Sequence, residues 1–425
     1  MRKWLIIVGI MLALFPSMGQ TREETLDSFN EGQYFLNRGD YREAAFYFKK
    51  VTEIYPDNAN FNFKLGECYM NLPGSESLAV SCLEKAIRHT VNKKLYSRKD
   101  FEEMNAPLHA YYYLGNVYRI INRLDDALRV YNIFINSPFY YGNYNETIVD
   151  NEIKSCERAK IIQDNPVDMV ELNLDSTINT SASELYPIVS GDENMMVFVR
   201  KLKFYDAIYL TKRNGDSWSV LENLNPVIGS DGDLYPTCLS SDGKELYLVK
   251  TSGEGSDIWV SVLNSSGWSK AEKLNKNINT RADETSAWLS PDGRMLYFAS
   301  SRKGGYGGRD LYYSRRDNNN QWGKAHNLGR VINTSFDEDG PSVTLENNIL
   351  YFSSKGHFSM GGFDIFYTSF RDNKWSEPVN LGFPINNTMD NLGYIAIRGG
   401  KAGYYSKINP DDPSREADIF RVAIK

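Results

Sequence analysis

The stretch Leu289-Ser-Pro-Asp-Gly293, with Met295-Leu-Tyr-Phe-Ala299 and Gly307-Gly-Arg-Asp-Leu-Tyr-Tyr-Ser314 after it, decides the fold of this chain. Leu-Ser-Pro-Asp-Gly ends one strand in a tight turn. Met295 to Ala299 is an apolar run of strand length, and Asp310-Leu-Tyr-Tyr-Ser314 is a second short strand introduced by a Gly-Gly turn. Upstream, Leu274-Asn-Lys-Asn-Ile-Asn-Thr280 leads into Asp283-Glu284; downstream, Trp322 closes the unit. A unit this small cannot cover both faces of its own sheet, so neighbours of the same design must do so.

Those neighbours exist. The third-strand aspartate recurs at Asp206, Asp257, Asp310, Asp364 and Asp418, every 51 to 54 residues, each followed by apolar residues. Tryptophans follow the first four copies, at Trp218, Trp268, Trp322 and Trp375. The second strand recurs as Met196-Val-Phe-Val199, Leu246-Tyr-Leu-Val249, Leu296-Tyr-Phe-Ala299, Leu350-Tyr-Phe-Ser353 and Gly403-Tyr-Tyr-Ser406. Five copies of about four strands each specify a five-bladed β-propeller over residues 166–425, with six blades as the alternative. The fifth copy ends after its third strand. Val167-Asp-Met-Val-Glu-Leu172 resembles the outer segment Trp375-Ser-Glu-Pro-Val-Asn-Leu381, so the first strand is expected to complete the last blade and remove the open edges.

Residues 21–165 carry a helical period instead. Gly32, Ala44, Phe48, Val51 and Pro56 are spaced as in a helix-turn-helix repeat: small residues where helices cross, large ones between them, and Pro at the stop. A second copy has Leu65, Gly66 and Tyr69, then Ala79, Leu83 and Ala86. A third has Tyr111, Leu114, Gly115 and Tyr118, then Ala127, Tyr131, Phe134 and Pro138. A charged insertion, 92–103, separates the second and third copies, and a last helix over 146–163 is expected to cap the stack. The resulting solenoid presents a concave partner groove, with Tyr111-Tyr112-Tyr113 as a candidate contact.

Aromatic residues make up 13% of the chain, which suits packed sheets. A net charge of −6 makes the chain a poor candidate for nucleic acid, whose phosphates require a basic face. Met1-Arg-Lys, the apolar run from Trp4 to Phe15 and the small residues Ser17 and Gly19 read as a signal peptide, 1–19, cleaved before Gln20. Cys68, Cys82, Cys156 and Cys238 match neither a zinc site nor Cys-x-x-Cys; an exported chain permits a Cys68–Cys82 disulfide, but buried free thiols are the expectation. No Walker loop or Gly-x-Ser-x-Gly elbow is present, and the four histidines have no metal-ligand spacing. No catalytic residue, metal, cofactor or small-molecule substrate is assigned, and the expectation is a non-enzyme.

One column invites a site. The loop before each inner strand is acidic, at Glu184, Asp233, Asp283, Glu284, Asp337, Glu338 and Asp390. These carboxylates could ring the mouth of the central channel as a cation or polar-ligand site, or as an electronegative docking face. Alternatively, they tie down turns together with neighbouring Asn and Thr. Recurrence in every copy favours the second reading, because architecture repeats and ligand sites do not. The copies differ in the insertions Lys303-Gly-Gly-Tyr-Gly-Gly308 and Gly356-His-Phe-Ser-Met-Gly361, where a site is better sought.

The helical copies resemble tetratricopeptide repeats. Leu289-Ser-Pro-Asp-Gly293, Leu296-Tyr-Phe298 and Arg309-Asp-Leu-Tyr312, matched by Ser240-Ser-Asp-Gly243 and Ser256-Asp-Ile-Trp259, resemble the WD-like repeats of the TolB propeller family. The fourth copy departs at Thr344-Leu-Glu-Asn-Asn348, and the fifth lacks the Asp-Gly turn. Signal, solenoid and propeller together resemble envelope proteins associated with type IX secretion and gliding machinery. That resemblance implies a periplasmic scaffold or adaptor of an outer-membrane machine, contacting envelope proteins through its helical groove and propeller face. An OmpA-like domain normally follows the propeller in that family; this sequence stops at Lys425, so peptidoglycan binding is not expected. The alternative is a ligand-binding or hydrolytic propeller acting on peptides or glycans.

Overall fold

The computed structural model describes residues 18–215, 217–253, 255–344, 348–408 and 416–425. The expected signal peptide lies outside them, save Met18 and Gly19 at the start of the first helix. The chain forms two compact units, Met1–Ile153 and Lys154–Lys425. The division falls inside the last helix rather than at 165/166.

The first unit pairs its helices as α1 (Met18–Asn37) with α2 (Tyr41–Ile54), α3 (Ala59–Met70) with α4 (Glu76–Ala86), and α5 (Ala110–Ile120) with α6 (Leu124–Ile135). The capping helix α7 spans Glu146–Gln163. Asp40 and Asn58 start α2 and α3 by accepting from the backbone N–H groups of Glu43 and Phe61. Phe48, Val51, Leu83, Tyr131 and Phe134 fill the space between helices and are buried. A Cβ on Gly66 would lie 2.7 Å from Leu83, and one on Gly115 would lie 2.3 Å from the Tyr131 ring, so the helices of a pair approach too closely for a side chain there. All four cysteines are free thiols; Cys82 is half-buried and the others are buried.

In the second unit each copy folds as an antiparallel sheet. The third is typical: inner strand Glu284–Leu289, second Met295–Ser300, third Asp310–Arg315 and outer His326–Asn327. The second strands bury successive residues on both faces, because each sheet is sandwiched between two others; Phe198, Tyr247, Phe298, Phe352 and Tyr404 are fully buried there. Each such ring contributes roughly 1.5–3 kcal/mol of burial. The outer strand is broken in three blades: a two-residue piece holding Trp218, Trp268 or Trp375 pairs near the end of the third strand, and a second piece pairs nearer its middle.

The fifth sheet closes the ring. Its strands Ile395–Ile397, Ala402–Ile408 and Ala417–Ile424 are joined by Met169–Asn173, with Val422 opposite Glu171. Five blades form, and the amino-terminal strand completes the last one.

Candidate functional site

The loops before the inner strands repeat one set of bonds. The side-chain amides of Asn279, Asn333 and Asn386 each bond both the N–H and the carbonyl of one third-strand residue, Ile258, Leu311 and Ile365, in the preceding blade. Glu284 is fully buried; it accepts from the N–H and hydroxyl of Thr280, the Ser300 hydroxyl and the Arg302 guanidinium. Glu184 is placed likewise, with Thr180 and with Arg200 at 2.7 Å. Glu338 accepts from Thr334 and Ser354, and no guanidinium reaches it among the described residues. Burial pushes its carboxyl up to about 7.

In blade 4 a histidine stands where blades 1 and 3 use arginine. Arg200 and Arg302 donate to the carbonyls of Ile178 and Ile278; His357 Nε2 meets the carbonyl of Ile332 at 2.8 Å. Its ring packs on Phe352 and Phe366, as the guanidiniums do on the aromatic rings of their own blades.

The remaining acidic positions join blade to blade or pair locally. Asp283, Asp337 and Asp390 accept from the backbone N–H groups of Ser256, Arg309 and Phe363, each in the preceding blade. Asp233 pairs with Lys250. A Cβ on Gly308 would lie 2.3 Å from Asp337, and one on Gly362 would lie 1.9 Å from Asp390. Within the two insertions Gly308, Gly356 and Gly361 have such a packing reason, whereas Gly304 has open space around it and a positive φ instead.

None of these seven acids lines the cavity at the channel mouth. That cavity, about 340 Å³, is bounded by Tyr186, Tyr235, Thr285, Arg309, Asp339 and Leu392, with Pro187, Pro236 and Pro341 around them. Past it the channel narrows to about 40 Å³ between Leu239, Trp288 and Val343. Asp339 is tied to Arg309, to the hydroxyls of Thr285 and Ser286 and to the Gly340 N–H. Tyr186 lies edge-on to Tyr235 at 6.1 Å, and Tyr235 donates to Asp206. Burial pushes the Tyr235 phenol up to about 12, so it stays a donor.

Tyr186 is the unusual member. Its φ is +53°, in the left-handed region. The matching positions of blades 4 and 5 are Gly340 and Gly393, at +58° and +71°. A tyrosine there costs roughly 1–2 kcal/mol that glycine avoids. Its ring is 45% exposed at the mouth, so core packing does not repay that cost. Sequence reasoning missed this position because a tyrosine by itself does not announce a left-handed backbone; aligning Tyr186 with Gly340 and Gly393 was the available signal.

In the helical unit the expected groove is covered by the chain itself. The insertion leaves and returns through a parallel clip, Thr90–Val91 against Ala106–Pro107, and lies on α1 and α3. Phe101 packs on Phe29 and Phe61, and the Tyr96 hydroxyl donates to Asn60. Of the three candidate tyrosines, Tyr113 stacks on Phe63, Tyr112 leans on Tyr131 and Phe134, and Tyr111 donates to the Ile87 carbonyl.

The tetratricopeptide repeat model matches residues 29–58. No curated protein matches the chain. Among solved structures, TolB from Acinetobacter baumannii is similar at 15% identity and a TM-score of 0.40, over 62% of this chain and 61% of that one, so this chain spans less than two-thirds of that protein. A thermostable family-43 glycoside hydrolase is similar at 13% identity and 0.40, over 59% and 96% of the two chains. The TPR2B domain of yeast Sti1, in a complex with pHsp70, is similar at 15% and 0.25, over 32% and 98%. The chain is a tetratricopeptide helical stack followed by a five-bladed propeller.

Proposed function

We propose that this protein is a non-enzymatic scaffold or adaptor, exported by a cleavable signal peptide and working in the periplasm at an outer-membrane-associated machine. The combination of parts resembles PorE of type IX secretion, and the helical unit is its main docking module. The observation that carries this reading is the mouth of the propeller. Among the described residues Asp339 is the one carboxylate lining that cavity, and it is already neutralised by Arg309. Acid–base hydrolysis of a glycan needs a pair of carboxylates acting on one bond, and here the buried glutamates Glu184, Glu284 and Glu338 are taken up by bonds within their own blades. Periplasmic cross-linking should recover a defined envelope partner, and deleting residues 21–165 should abolish its recovery. Recovery of nothing above background would overturn the reading.

The strained Tyr186 favours a second use of the mouth, as a side-chain-sized recognition pocket for a peptide or glycan. Y186G should raise the thermal stability of the propeller by about 1 kcal/mol by relieving strain, yet lose any ligand that calorimetry detects at the mouth. A glycine variant that binds as well as the parent assigns Tyr186 no recognition role.

A further inference from the structure

Residues 92–105 fit the helical unit as a cover with flaws in it. Lys93, Lys94, Arg98, Lys99, Asp100 and Glu102 face solvent, while Tyr96 and Phe101 turn down onto the helices. Phe101 fills a seat between Phe29, Tyr55 and Phe61, with ring centroids 5.6, 6.1 and 5.5 Å away. Beneath the segment, α3 is buried on this side as well as toward α4, and beside the aromatic seat the covered surface carries three polar side chains, Gln33, Asn60 and Lys64. Lys64 is fully buried; its Nζ donates to Gln33 Oε1 and to the Arg98 carbonyl, both at 2.7 Å and both neutral. Burial, with the like charge of Arg98 beside it, brings its ammonium down to about 7. Glu67, the nearest acid on α3, lies 3.7 Å from the Arg98 guanidinium. Asn60 accepts from Tyr96 at 2.7 Å, but its Nδ2 is buried with no acceptor.

A floor evolved only for permanent burial would be apolar, since an unmet donor and a lysine without a carboxylate both count against the covered state. The cover turns only two rings, Tyr96 and Phe101, onto the helices. Between the strands of its two-residue clip it is otherwise held by scattered single bonds: from Asn58 to the Glu103 carbonyl, from the Ala59 N–H to the Met104 carbonyl, from Lys64 to the Arg98 carbonyl, and by the Arg22–Glu102 pair. These are the marks of a segment that opens locally.

We propose that residues 92–105 are a built-in stand-in for a partner: the docking groove of the helical unit lies beneath them. It takes a polypeptide segment that puts an aromatic ring in the Phe101 seat and a carboxylate against Lys64 and Asn60 Nδ2. The inference rests on the reading of the helical unit as a docking module. Such a segment supplies the acceptor that Asn60 Nδ2 lacks and the carboxylate that Lys64 lacks, so it competes with the cover for the same floor. Affinity for the closed chain is lowered by the fraction of time the cover is open.

The test replaces residues 92–105 by a short Gly–Ser linker in the full chain and titrates this opened variant with synthetic peptides. The 92–105 peptide should bind the opened variant and not the parent chain. Its R98D form should bind at least tenfold tighter and its F101A form at least tenfold weaker, and K64M in the opened variant should remove the R98D gain. A folded opened variant that binds none of the peptides overturns the proposal. If that variant does not fold, hydrogen exchange on the parent chain decides. Amides of the cover should exchange at least 100-fold faster than those of α3, and exchange in step with α3 makes the segment part of the core and overturns the proposal. An opened variant that still captures an envelope partner while ignoring the peptides leaves the docking reading standing and removes this inference; one that captures neither removes both.

Discussion

One site in the propeller and one in the helical unit bury polar side chains in opposite ways, around Glu284 and around Lys64. Around Glu284, four donors meet one carboxylate, and the guanidinium among them packs its flat face on two aromatic rings. Around Lys64 an ammonium finds two neutral oxygens, and the neighbouring Asn60 Nδ2 finds none. A complete network rigidifies, because every alternative arrangement loses bonds. An incomplete one marks a surface whose covered state is not its only use. Burial of charge alone does not separate these two sites; the missing carboxylate at Lys64 and the unmet Asn60 Nδ2 beside it do.

The largest test of that contrast is E284A. It strands the Arg302 guanidinium in a buried pocket, and denaturant unfolding followed through the propeller should show a loss of about 3–5 kcal/mol. A loss under about 1 kcal/mol would mean the propeller network is no more binding than the helical one.

Glu338 should give the next effect, because it sits in the same network without a guanidinium. Its carboxyl is held above its unfolded value of 4.5, up to about 7. Below pH 4.5 it is protonated in both states and imposes no penalty. Between pH 4.5 and 7 the unfolded chain releases the proton while the folded chain keeps it, so stability falls as pH rises, by about 3 kcal/mol at most, and then levels off. Thermal melts across this range should show the slope in the parent and not in E338Q. A slope of equal size in both would place its origin elsewhere.

The smallest effect is expected where the network is incomplete. K64M removes a buried charge that has no carboxylate, so the helical unit should stay within about 1 kcal/mol of the parent. A loss as large as that of E284A would erase the contrast and make Lys64 a structural residue.

Much of the propeller was legible because its units repeat. A strand sandwiched between two sheets is apolar on both faces, and the same burial imposed five times writes itself five times into the chain. The closing strand was legible for the same reason: the segment at 167–172 looked like the outer piece of another blade. The break in the outer strand was not, since two-residue pairings leave no pattern. The acidic column was legible as residues but not as geometry. Glu284 and Asp283 are adjacent, yet one is fully buried among Thr280, Ser300 and Arg302, while the other reaches a backbone N–H of the preceding blade. The mouth cavity could not be read at all, because Tyr186, Tyr235, Thr285, Asp339 and Leu392 each come from a different blade.

The sequence by itself determined the two architectures and the way the ring closes, and it narrowed the blades to five or six, between which the structure decided for five. These follow from periodic burial and turn chemistry, which act within a few residues of each position. Only the tertiary structure decided that the charged insertion folds back over α1 and α3, that Tyr186 takes a glycine's backbone conformation at the channel mouth, and that Lys64 lies covered on neutral acceptors beside an Asn60 Nδ2 that has none. Those depend on which distant groups meet once the ring has closed and the insertion has docked, and no spacing along the chain encodes such a meeting.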